Sequence, residues 1–137
     1  MKKTWKTIFW IGVYLLLALA PLILLLVAPR PPRREFLREF SVALGFVGLS
    51  LMGLQFIPTV RLRALGDVFP MGAIYYFHHW TSVVATIFIF AHPVLLIINS
   101  PGVIRLFNLI TAPWRARAGV IGGLAVVVLT VMSIWRQ

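Results

Sequence analysis

Four apolar runs, each close to twenty residues long, fix the range of folds open to this 137-residue chain. Lipid offers no hydrogen-bond partner to a peptide group, so a spanning segment must satisfy its own backbone as a helix or join a closed barrel. A barrel strand crosses in roughly 9–11 residues and a helix in about 20. The runs cover about residues 8–28, 40–60, 74–98 and 118–135, which is helix length. Hydrophobic residues make up 61% of the chain and charged ones 12%, about half the charged share of an ordinary soluble domain. The expectation is an all-α membrane protein of four transmembrane helices. It forms a single membrane domain, 1–137, with no room for a separate soluble one.

The segments differ in detail. The first follows Lys2, Lys3 and Lys6 and begins like a signal peptide. Its run is longer than an ordinary signal core, and Pro21 follows its one Ala-x-Ala, so it reads as an uncleaved span. In the second, Ser41, Gly45, Gly48 and Gly53 are small enough to let a neighbouring helix approach closely. The fourth carries Gly119 and Gly123, a GxxxG pair that marks close packing in general rather than a particular dimer. Arg30-Pro31-Pro32-Arg33-Arg34 breaks the chain after the first helix, and Ser100-Pro101-Gly102 ends the third. Val103 to Arg117, holding Trp114, reads as an interfacial helix with aromatic and Arg anchors.

The net charge of +10 sits in short connections beside apolar runs, with no aromatic-interleaved basic surface. Anionic membrane lipids are therefore the expected partners, and nucleic acid is not. Orientation does not follow from charge. With the N-terminus inside, Lys2, Lys3, Lys6, Arg61, Arg63 and Arg136 face the cytoplasm, six in all, against seven arginines opposite. The absence of cysteine excludes thiolate zinc sites, iron–sulfur clusters, disulfides and covalent c-type haem. The only acids, Glu35, Glu39 and Asp67, lie near segment ends, which argues against hydrolysis by paired carboxylates and against a proton-relaying transporter.

All three histidines, His78, His79 and His92, fall in the third segment. His78 and His92 are 14 residues apart. At ~100° per residue their side chains return to within about 40° of each other, roughly 21 Å apart along the axis. His79 points elsewhere, about 140° from His92. Imidazole inside a membrane faces the bundle interior and marks function by default. Two residues that far apart cannot share a zinc ion, whereas a haem iron needs only one or two axial ligands and two haems can stack along one helix. His78 and His92 thus become candidate axial ligands of haem iron. Ser82 and Ala85, four and seven residues after His78, would leave space for a flat macrocycle. Each haem's second imidazole must come from another helix, and this chain has no other histidine outside that segment.

Phe77-His78-His79-Trp80-Thr81-Ser82-Val83-Val84-Ala85, followed by Ala91-His92-Pro93, resembles the third helix of the ferric-reductase-like transmembrane domain. That family includes ferric reductases, NADPH oxidases and bacterial relatives. Arg38-Glu39-Phe40, Ala43-Leu44-Gly45, Gln55 and Arg61 resemble its second helix, so the likeness covers about residues 35–137. The resemblance implies a six-helix bundle with two b-type haems, each held by one histidine from helix three and one from helix five. It also implies a cytoplasmic FAD and NAD(P)H module, and an outer haem that reduces ferric iron, dioxygen or another acceptor. In the family's topology the N-terminus is cytoplasmic, His78 serves the inner haem and His92 the outer. Arg61 and Arg63 are then candidates for contacts with haem propionates, although topology and lipid contact are their simpler role. The sequence departs from the pattern by stopping at Gln137, where helix four would end. The expectation is that the fifth-helix ligands and the flavin module come from a missing C-terminal half, a separate subunit or a second copy. This chain alone would not be active.

Two alternatives remain at this point. One is the haem subunit of a quinol-linked reductase without flavin. The other is a cofactor-free membrane assembly or scaffold protein, favoured by the GxxxG pair and the lack of a second histidine helix. The expected location is the bacterial cytoplasmic membrane.

Overall fold

The computed structural model describes residues 2–27, 35–57 and 63–135. Its elements are helices α1 (Lys2–Val27), α2 (Phe36–Leu54), α3 (Arg63–Gly66) and α4 (Met71–Asn99), a 3-10 helix (Pro101–Phe107) and α5 (Trp114–Trp135). No strand occurs among the described residues. Four of the helices, over Thr4–Val27, Phe36–Leu54, Met71–Asn99 and Trp114–Ser133, are long and apolar enough to cross a membrane. The protein is an all-α integral membrane protein.

Backbone satisfaction explains why these segments are helical almost without regard to local propensity. β-Branched residues crowd α4 and α5, and Pro21 and Pro93 lie inside α1 and α4. Each proline removes one intrahelical bond, yet abandoning the helix in lipid would expose several peptide groups at several kcal/mol each. Where water returns, local chemistry decides again. Ser100 takes an extended conformation, its N–H bonding Leu96 O at 2.9 Å, and Pro101 then starts a tighter turn.

The helix ends differ from the sequence expectation in a consistent way. α1 begins at Lys2, and α2 and α5 each begin about a turn before the apolar run, because flanking polar residues extend a helix as readily as apolar ones. α2 stops at Leu54, well short of residue 60, and residues 55–57 turn through the bonds Phe56 N–H to Gly53 O and Ile57 N–H to Leu54 O. The interfacial helix expected over Val103 to Arg117 is absent. In its place the 3-10 helix is followed by an Asn108 turn, where Oδ1 accepts Ile110 N–H at 2.9 Å. Arg117 closes that turn, donating to Ala112 O and Ile110 O at 2.6 Å each.

The tightest packing joins α2 to α4, antiparallel. A methyl added at Gly48 would lie 3.1 Å from both Phe88 Cβ and Ile89 Cγ1, so the close approach depends on glycine. α1 packs along α2 and reaches α4 where Tyr14 meets Phe77 edge to face, ring centres 5.0 Å apart. Gly119 and Gly123 meet nothing within 4 Å. The α2–α4 seam is therefore the part of the molecule that can hold a side chain in a fixed geometry.

Candidate functional site

His78 and His92 both lie on the α4 face turned towards α2, half-buried, and each makes the same kind of bond. His78 Nδ1 is 3.1 Å from Gln55 O, and His92 Nδ1 is 2.7 Å from Ser41 O. A carbonyl can only accept, so the proton in each pair belongs to Nδ1. In a neutral imidazole this leaves Nε2 with its lone pair free. That is the state in which histidine binds a metal, with the second nitrogen anchored to a carbonyl.

The seam's register explains the repetition. Ser41 and Gln55 are 14 residues apart on α2, as His92 and His78 are on α4. Two antiparallel helices of equal rise bring both pairs level, about 21 Å apart along the axis. Ser41 sits at the end near His92, Gln55 at the end near His78, and Gly45 and Gly48 between them let the backbones close.

The side chains of the α2 partners reinforce both contacts. Ser41, fully buried, donates Oγ–H to His92 O at 2.7 Å, and its Oγ lies 3.2 Å from His92 Nδ1. The two residues thus exchange two hydrogen bonds, ring to main chain and hydroxyl to main chain. Gly45 lies beneath the same imidazole: a methyl there would come within 3.0 Å of His92 Cγ and Nδ1. At the other end Gln55 is 6% exposed, and its Oε1 and the main-chain His78 O both lie within reach of the Ser82 hydroxyl. The Gln55 amide also reaches Met52 Sδ.

Ser82 and Ala85 therefore stand differently from the sequence expectation. Ala85 has no exposed surface, and the Ser82 hydroxyl is engaged with Gln55 and His78. No open surface remains at Ala85 for a macrocycle. His79 is exposed, its ring edge-on to Trp80 at 5.8 Å, apart from the other two histidines as helical phase required. Arg61 lies outside the described residues, as does the side chain of Arg63.

The donor set fits axial ligation of iron by single imidazoles. Among the described residues no three of His, Cys, Asp and Glu gather as a protein-bound metal ion would require, whereas one bare Nε2 at each of two levels is what a haem iron asks of one helix. From sequence alone Ser41 stands out only as a small packing position, Gly45 as that and as part of the resemblance, and Gln55 only as part of the resemblance. The matching 14-residue interval between Ser41 and Gln55 was the signal that could have paired them with the histidines.

These features define an α-helical membrane protein with two imidazoles prepared on one seam. The chain belongs to the ferric-reductase-like transmembrane family: residues 44–137, more than half of its length, match the ferric reductase like transmembrane component. No curated protein and no solved structure matches the chain.

Proposed function

We propose that this chain is the haem-bearing membrane component of a ferric-reductase-like oxidoreductase, with His78 and His92 each giving one axial ligand to a b-type haem. The observation that carries this reading is the pair of Nδ1–H bonds to α2 carbonyls, which leaves both Nε2 atoms available on one seam. A bound haem supplies a one-electron carrier at each histidine. The chain's own task is to hold the two imidazoles at levels roughly 21 Å apart, within reach of opposite membrane faces. α4 brings no charged side chain along its whole length, so lipid and protein together keep these levels dry.

With the family's orientation, His78 stands at the cytoplasmic level and His92 at the outer level of a bacterial cytoplasmic membrane. Electrons enter from a cytoplasmic FAD and NAD(P)H module and leave to ferric iron, dioxygen or another acceptor. The second axial imidazoles and the flavin module belong to other helices or another subunit.

Protein purified together with the source of those second ligands should show the split α/β bands of reduced bis-imidazole haem b. His92→Ala should then remove about half of the haem, since each site needs its own axial ligand. Unchanged haem content would overturn the assignment.

A further inference from the structure

We propose that Ser41 and Gln55 are positioning residues that preset the two imidazoles, each acting on its own histidine, before any cofactor arrives. The purpose of this arrangement rests on the reading of His78 and His92 as axial ligands; its test does not. A free imidazole can carry its proton on either nitrogen, and the form with Nε2–H directs a proton where a metal would bind. Bonding Nδ1–H to a fixed carbonyl removes that form in advance.

Each α2 residue grips its histidine twice. Ser41 accepts from the His92 ring through its main-chain oxygen and donates to the His92 main chain through its hydroxyl. Gln55 accepts from the His78 ring in the same way, and its side-chain Oε1 shares the single proton of the Ser82 hydroxyl with the main-chain oxygen of His78. The doubled contact fixes the ring against its own backbone, so the imidazole cannot turn without breaking the α2–α4 seam. Ser41 and Gln55 are 14 residues apart, so the two grips are separate devices.

They are also built differently. Gln55 is the C-cap of α2, where carbonyls run out of intrahelical partners, and its oxygen accepts from the His78 ring. Ser41 lies inside α2, where its carbonyl already belongs to the helix ladder, and the ring bond is an addition. The His78 grip accordingly depends on the Gln55–Ser82 brace holding the end of α2 in place. The His92 grip depends on the Ser41 hydroxyl and the close approach at Gly45.

Three histidines make the test direct. The full chain, labelled with 15N-histidine and placed in lipid bilayers without haem, gives three imidazoles whose protonated nitrogens can be read by solid-state NMR. His78 and His92 should both carry Nδ1–H with bare Nε2. Gln55→Leu and Ser82→Ala should each reduce the Nδ1–H form at His78 alone, Ser82→Thr should restore it, and Ser41→Ala should reduce it at His92 alone. Nε2–H at His78 or His92 in the parent chain would overturn the proposal, and so would variants that move both rings together. A parent with both Nε2 atoms bare that still takes up no haem when the source of the second axial ligands is supplied would support the presetting and overturn the haem assignment alone.

Discussion

At Gly45 a single methyl group is enough to reach the site. The Cβ of an alanine there would stand 3.0 Å from two atoms of the His92 ring, closer than such contacts normally come, and the ring is tied to the same helix by its bond to Ser41 O. The imidazole must move or the helices must part, and overpacking of this kind costs typically about 1–3 kcal/mol. Gly45→Ala should therefore lower the unfolding midpoint in detergent and weaken haem retention at the outer site more than at the inner one. Gly53 is the natural control, since nothing lies within 4 Å of a methyl placed there. Gly53→Ala should leave haem retention unchanged and be neutral or slightly stabilising, because alanine suits a helix interior better than glycine by roughly 0.5–1 kcal/mol. Equal losses from both variants would show that α2 tolerates no methyl at all and that His92 is not the reason.

At the scale of the element, α2 acts as a ruler laid antiparallel along α4. Its register is open to a clean test because the chain has no cysteine of its own. Disulfides need Cβ atoms about 3.5–4.5 Å apart, and the Cβ position at Gly48 lies 3.1 Å from Phe88 Cβ, so a shift of a few tenths of an ångström brings the pair into range. Gly48→Cys with Phe88→Cys should cross-link under mild oxidation, shown by altered gel mobility that reductant reverses. Gly48→Cys with Leu95→Cys, two helical turns further along α4, should not. The spans themselves were legible in the sequence, because twenty apolar residues in lipid leave the backbone no choice. Helical phase likewise separated His79 from the other two histidines. The ends of the helices were not legible: hydropathy cannot tell Gln55 inside a helix from Gln55 as its cap, and the His78 bond that uses its carbonyl arises only in the packed seam. The same limit explains Ser82 and Ala85. Small residues signal that something approaches closely, and only the packed seam reveals that at Ser82 the visitor is Gln55. The turn at Asn108 is set by side-chain bonds from Asn108 and Arg117, which no hydrophobic pattern encodes.

For the whole molecule, the direction of the proposed electron flow turns on orientation, and here parity is a stronger argument than charge. Basic residues divide six against seven between the two faces, so the positive-inside rule does not choose. Four spans, however, bind the connections together. The segment between α2 and α4 must share a face with the N-terminus, and the turn between α4 and α5 must lie on the other. One accessible residue on each side therefore fixes every level in the protein, including which histidine is inner. Asp67 is exposed in the first of these connections, and Ile110, 84% exposed, projects from the second. In otherwise cysteine-free protein, Ile110→Cys should react with a membrane-impermeant maleimide on intact cells, and Asp67→Cys should react only once the membrane is opened. The reverse pattern would leave both proposed axial ligands in place and exchange their proposed roles, making His92 the point of electron entry and His78 the point of exit.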